Sequence, residues 1–562
     1  MPKERIELRF CGGMDTLHTG LDLGVRKRGE TQSMTNADLT LLGRVKRLLP
    51  LTALNTSPAT DIKSVFVANG VVFVQDGSDL KYLNGTTLTT LKAALSSGKF
   101  RFDNAGDWLF VGTGDAKKSV YIPGPTVCDW GVDVPTTAPT VAAGSSGSPD
   151  GTYSCYYRYK ITLPDGTIIR TALSPVASVI VTSDKIEWSG IVHSTFEGAT
   201  TIQAELFRTT SSFAETYLVT TLTSGTTTYS DDLSDATLQL QTAYDETGYY
   251  PPPPDPSIVY YYENADRMLC TVGGDAYWSE PGLYHIFIYN ATAAEYTNVN
   301  GVFLSGEDIT AIKKIDENPY FGSQRTWRRL RGRDPVSWSW ESTAAKKGPL
   351  SNEGAVETPF GVPYPGNDSR MWLFNGFESR PILESYVFPT QPDANSHSTY
   401  DGRFYRLNTS DPTHPEVVVD FLQYPSSPPR LVQSTRSSTA SFFDNLYGKL
   451  YLTDAQYVRQ GEAGAQSVAI SFRTAEVLPE DVATLGKMGM LVVSVNTKGD
   501  SLIITPVADG VAQVALKTVI TSNLARKEVA LPLKDCYALA FDIAITSASA
   551  IVLEEPILIR RE

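Results

Sequence analysis

Cysteine and histidine are scarce, with five of each in 562 residues. Cys11, Cys128, Cys155, Cys270 and Cys536 are widely scattered, form no CxxC and have no histidine at metal-ligand spacing. Neither a zinc site nor a disulfide framework is indicated, and buried free thiols are expected. The histidines (His18, His193, His285, His397, His414) are equally dispersed, and the chain has no GxSxG, no HExxH and no glycine-rich phosphate loop. Nucleophilic and metal catalysis therefore have no visible actors, and neither an enzyme nor a cofactor is expected. Long apolar runs are also missing: no stretch of about 18 apolar residues could span a bilayer, and MPKERIELRF has no apolar signal core. The expectation is a chain made and folded in a cytoplasm, with any exterior location reached by assembly. Basic residues are in deficit, 48 against 62 acidic, for a formal charge of -14. That balance argues against tight, sequence-blind wrapping of nucleic acid and leaves open a passive acidic surface along which a polyanion slides. Helical periodicity rarely exceeds two turns.

What the chain has is hairpins. Val65-Phe66-Val67-Ala68 and Val71-Val72-Phe73-Val74 flank Asn69-Gly70, the dipeptide that type I′ turns prefer. Met268 to Val272 and Ala276 to Ser279 face each other across Gly273-Gly274-Asp275, with a Ser-Glu-Pro-Gly exit. The same grammar recurs at 65–85, 99–114, 371–382 and 399–410. Short antiparallel strands at loosely regular intervals predict the blades of a β-propeller, about six of them, in an all-β protein.

Other segments break the repeat. Residues 1–64 read as an N-terminal arm and first strands, with Arg26-Lys27-Arg28 as a solvated basic cluster. The propeller then occupies 65–135 and 257–460. Between them, 136–256 is rich in Thr, Ser and Tyr and is bracketed by PTTAPTVAAGSSGSPDG and PPPPDP. Seven short strands there predict an inserted β-sandwich whose excision leaves the rest folded. Residues 461–562 alternate apolar and polar positions over several strands and predict a separate terminal β-sandwich, with one short helix starting at Pro479-Glu480-Asp481. Within 323–340, Arg325, Arg328, Arg329, Arg331 and Arg333 are interleaved with Trp327, Trp338 and Trp340. Such a stripe can grip phosphates and stack bases, making it a candidate DNA or partner contact; pairing with neighbouring carboxylates is the competing reading and the weightier one in so acidic a chain.

The Tyr-rich strand, the RTT strand ending and the TYSDDL exit within 151–240 resemble the fibronectin type III-like modules inserted in phage tail proteins. FCGGMDT followed by GETQSMTNADLTLLGRVKRLLPL resembles the opening of many bacteriophage tail proteins, and RMLCTVGGDAYWSEPGLYHIF is similar to their blade signature. With a terminal sandwich opening on SFRTAEVL, the order of modules resembles the podovirus tail nozzle and related tail hub proteins. That resemblance implies a structural virion protein, a ring of about six copies at the distal tail. Double-stranded DNA would pass transiently through the ring, and tail adaptor and fibre proteins would attach to it. The alternative is a carbohydrate-binding, lectin-like propeller, whose aromatic residues would stack on sugars. Less favoured is a glycan-cleaving enzyme drawing carboxylates from several blades; FDNAGDWLFVG, faintly like a sialidase Asp-box, lacks the Ser/Thr-x-Asp order.

Overall fold

Asn69 and Gly70 both take positive φ, 49° and 79°. Ala68 therefore pairs directly with Val71, and the two-residue turn carries the right-handed twist of its flanking strands. This hairpin belongs to the first of seven antiparallel sheets that follow one another in a computed structural model of the chain. The structure describes residues 51–461 apart from 214, 246–249, 288–301, 303–305, 333–334, 336, 384–385, 423 and 427. Outside that span it describes strand segments and a few further positions.

Blade 1 comprises Ile62–Ala68, Val71–Asp76, Asp79–Asn84 and Thr87–Lys92. Blade 2 runs from Arg101–Ala105 to Thr126–Cys128, blade 3 from Ile258–Tyr262 to Leu283–Phe287, and blade 4 from Ala311–Ile315 to Ser339–Ser342. Blade 5 has three described strands, Val362–Pro365, Met371–Phe374 and Ser379–Pro381. Blade 6 runs from His397–Tyr400 to Arg430–Ser434. Blade 7 has Ala440–Asp444, Lys449–Thr453 and Val458–Gly461, and takes its outer strand from Leu51–Ala53 at the other end of the sequence.

Apolar clusters join successive blades. Leu80 and Phe73 of blade 1 pack with Leu109 and Val120 of blade 2. Leu269 of blade 3 packs with Phe321 of blade 4. Trp327 of blade 4 lies flat on Phe374 of blade 5, with centroids 4.8 Å apart and planes 1° apart, worth about 0.5–1.5 kcal/mol beyond area burial. Val65 and Val74 of blade 1 pack with Tyr451 and Val458 of blade 7, which closes the ring.

The protein is a β-propeller, as the hairpin grammar predicts, but its described sheets number seven where about six were expected. Two features hide the count. Pro363 and Pro365 sit in the first strand of blade 5, which pairs on one side only, so the missing N–H groups break no second ladder. The strand that completes blade 7 lies in the segment read as an arm.

That segment is woven into the protein. Arg5–Glu7 pairs with Ile557–Arg560, Ser33–Thr35 with Ile470–Arg473, and Arg44–Arg47 with Val552–Glu554, so the terminal sheets take strands from both chain ends. An extended segment leaves a row of backbone donors and acceptors, and pairing satisfies them. Thr35 also pairs with Gln433, which makes blade 6 and one terminal sheet continuous. The terminal sandwich is therefore not a separate unit. Arg26-Lys27-Arg28 and the helix expected at Pro479 lie outside the described residues.

The insert is a sandwich of a three-stranded sheet (Thr140–Ser146, Asp184–Ser189, Tyr229–Asp231) and a five-stranded sheet centred on Gly151–Thr162 and Thr201–Thr209. It is not self-contained. Its Tyr157, Ile161 and Leu206 share one core with Phe110, Cys128 and Trp130 of the blade 2 region and Phe287 of blade 3. Cys128, Cys155 and Cys270 are buried free thiols, as expected.

Candidate functional site

The arginine stripe lies in and around Trp327–Arg331, the third strand of blade 4. Consecutive strand residues point to opposite faces, so the cluster divides. Arg328 turns its guanidinium to backbone, donating to the carbonyls of Val302 and Trp340. Arg329 and Arg331 share Glu341 on the neighbouring strand, at 3.8 and 2.8 Å. Arg325 precedes the strand, is 81% exposed and lies 3.4 Å from Glu307. Arg333 lies outside the described residues. Every described arginine of the stripe thus has an oxygen partner within the fold.

The structure also places a charged site on the propeller axis. The first strands of blades 1, 2, 4, 6 and 7, with residues 352–357, surround a cavity of ≈ 320 Å³. Alternation puts Lys99 and Arg101 on one side of the blade 2 strand and Phe100 and Phe102 on the other. Arg101 Nε reaches Glu353 Oε1 at 3.0 Å, bridging blade 2 to the approach to blade 5. Phe66 stacks on Phe102 at 5.9 Å and leans on Phe442 at 4.7 Å. Towards the face where the first strands begin, a second space of ≈ 530 Å³, sharing Lys99 and His397 with the cavity, is lined also by Lys63, Asp393, Asn408 and Ser438. At the other face a space of ≈ 420 Å³ is lined by Lys314, Asp316, Glu357, Tyr400 and Phe443.

Desolvation within the recess is the largest influence on these groups, although Glu357 is exposed and Lys99, Asp103, Lys313 and Glu353 are half-buried. Burial lowers Lys99 and Lys313, partly offset by Glu353 and Glu357 respectively. Burial would raise Glu353, but Arg101 and then Lys99 outweigh it and hold its carboxyl below the usual range. Glu357 is raised by burial, with Lys313 opposing. Asp103 is pushed up to about 7 by burial, although its carboxylate accepts the Tyr261 and Asn104 backbone N–H groups at 2.6 and 2.8 Å. His397 is pushed down to about 3 by burial and then by Lys99, and its Nε2 lies 3.0 Å from Ser438 Oγ. Such a site can hold a small polar molecule. A duplex, whose major groove alone is about 12 Å wide, cannot thread it.

No family model matches the chain, and no curated protein matches it. Among solved structures, the chain is similar to the computationally designed Ika8 protein, at 9% identity and a TM-score of 0.33 over 73% of this chain and 99% of that one. It is similar to the Dos1 propeller, at 12% identity and a TM-score of 0.31 over 73% and 95%. A third likeness is to PorZ, a surface component of the type-IX secretion system of Porphyromonas gingivalis, at 10% identity and a TM-score of 0.24 over 94% and 95%. None of these carries a functional argument. The sheet topology itself defines the class: a β-propeller with one sandwich inserted between blades and another built from both chain ends.

Proposed function

We propose that this chain is a structural protein of a phage tail, a virion component forming a nozzle or hub ring at the distal tip. The observation that carries the reading is the fusion of three modules into one wall piece. The insert shares a core with blades 2 and 3, one terminal sheet runs on from blade 6, and both terminal sheets draw strands from the chain's beginning. A component of a pressurised conduit needs such linkage, because hinged domains would yield at their linkers. With too little room for a duplex on the propeller axis, the conduit in this reading runs between copies, around the symmetry axis of a ring. A chain of charge -14 supports unhindered passage, since each phosphate neutralised by Lys or Arg would add affinity through counterion release. The insert and terminal sandwich then offer surfaces to neighbouring copies, adaptors and fibres.

Immunogold labelling with an antibody raised against the insert tests this. Label at the tail tip of intact particles supports the assignment; particles that carry none refute it and favour a carbohydrate-binding propeller.

A further inference from the structure

The axial cavity holds hydrogen-bonding capacity that the fold leaves unused. Thr399 is 3% exposed, faces the cavity, and its Oγ1 has no hydrogen-bond partner. Ser441 Oγ in the same lining has none, nor does Asn408 Nδ2 at the mouth, where the residue is 2% exposed. Arg101 Nε approaches Glu353 at 3.0 Å but is misaligned, leaving both it and Glu353 Oε2 unpaired. The ammonium groups of Lys99 and Lys313, both half-buried residues, have no hydrogen bond and no ion pair within 4 Å among the described residues, and both residues line the space. Two of the nearby carboxylate oxygens are committed elsewhere. Asp393 Oδ1 accepts the Asn395 and Ser396 N–H groups at 2.9 and 3.1 Å, and Glu357 Oε1 accepts that of Lys314 at 2.6 Å. Buried donors are rarely left unmet in native proteins, and where several converge on one cavity a ligand is the economical explanation.

We propose that the axial cavity binds a small polyhydroxylated anion, a sugar acid or sugar phosphate, with its oxyanion between Lys99 and Arg101 and its hydroxyls on Thr399, Ser441 and Asn408. The volumes fit: ≈ 320 and ≈ 530 Å³ fall within the range of about 300–1,000 Å³ that small-molecule sites occupy. The mouth adds further hydroxyls from Ser97, Ser410 and Thr439. This inference is independent of ring assembly.

Isothermal titration calorimetry on the full chain, with glucose 6-phosphate, glucuronate, glucose and inorganic phosphate, decides it. One or both anionic sugars bind, the tighter identifying the oxyanion, and glucose and inorganic phosphate bind at least about tenfold more weakly. Lys99→Met weakens the anionic sugar by at least about tenfold. Thr399→Val keeps the side-chain shape and removes an unpaired buried hydroxyl, so it leaves the melting temperature unchanged or higher while weakening binding, an outcome that damage to the fold cannot mimic. Three results would overturn the proposal: no binding of either anionic sugar at millimolar concentration, affinities untouched by both variants, or inorganic phosphate binding as tightly as the sugars, which would mean an adventitious ion only.

Discussion

Trp108 of blade 2 donates its indole N–H to Asp165 Oδ2 at 2.8 Å, fastening the Pro164-Asp165-Gly166 turn of the insert to the propeller. Around this bond the two modules share salt links as well as a core: Lys118 reaches Glu197 at 2.8 Å, and Lys92 reaches it at 2.8 Å. Trp108→Phe retains most of the buried ring and loses the hydrogen bond, at an expected cost of about 1 kcal/mol. Trp130→Ala, at a residue 1% exposed in the shared core, costs about 3–5 kcal/mol. Excision of 136–256 strips the cover from Cys128 and Trp130 and abolishes the cooperative melt of the remainder. Calorimetry checks all three, and a sharp, wild-type-like transition for the excised protein would contradict the shared core.

Closure of the propeller depends on Asn55, which is 3% exposed. Its Oδ1 accepts the Val458 N–H at 2.8 Å and its Nδ2 donates to the Gln456 carbonyl at 3.1 Å, a clasp between residues 403 and 401 apart in sequence. Asn55→Ala leaves the buried Val458 N–H unmet, while the Gln456 carbonyl keeps the Ala59 N–H, and costs about 1–3 kcal/mol. Hydrogen exchange then shows Leu51–Ala53 and Val458–Gly461 opening before the other blades. Unchanged protection there would remove the clasp's role.

These features also mark what a single sequence discloses. Asn69-Gly70 and Gly273-Gly274 announce their hairpins because the positive φ taken at Asn69, Gly70 and Gly273 selects such residues locally. The seventh blade is invisible because its closing strand, Leu51–Ala53, is three unremarkable residues whose partner lies at the far end of the chain. The arginine stripe stands out in sequence precedence alone; in the fold its strand sends Arg328 to carbonyls and Arg329 and Arg331 to Glu341. The axial site had one local signal, the alternation Lys99-Phe100-Arg101-Phe102. Its other half, Lys313 and Glu353, joins it only when the ring closes.

Stability should depend on pH through groups that act in opposite directions. Asp103 has a folded pKa of about 7 against an ordinary 3.8, so it contributes stability below pH 3.8 that is lost as pH rises towards 7. His285 and His397 have folded pKa values of about 3 against 6.5, so each contributes stability above pH 6.5 that is lost as pH falls towards 3. Asp103→Asn therefore makes the melting temperature rise more steeply with pH across 4 to 7, and His397→Gln makes it rise less steeply. Parallel slopes for wild type and both variants would contradict the burial of these groups.

Duplex DNA should bind weakly at physiological salt, because Arg328, Arg329 and Arg331 are already engaged. Glu341→Gln frees two of them and should raise affinity measurably in fluorescence anisotropy. Submicromolar binding by the wild type with a steep salt slope would make the stripe a DNA site.

The proposed role rests on assembly. A ring closes through a heterologous contact, one flank of each copy against the opposite flank of the next, so isolated copies have no reason to form two-fold dimers. If each contact is modest, the entropy of association keeps the free chain monomeric at micromolar concentration until the tail templates the ring. Electron cryo-microscopy of the virion tail, with light scattering of the isolated chain as its companion, is the most direct measurement. A monomer is expected in solution and, at the distal tail, a ring of about six propellers with DNA-sized space between copies and none through each propeller. A stable two-fold dimer in solution, or a single copy per tail, would contradict it.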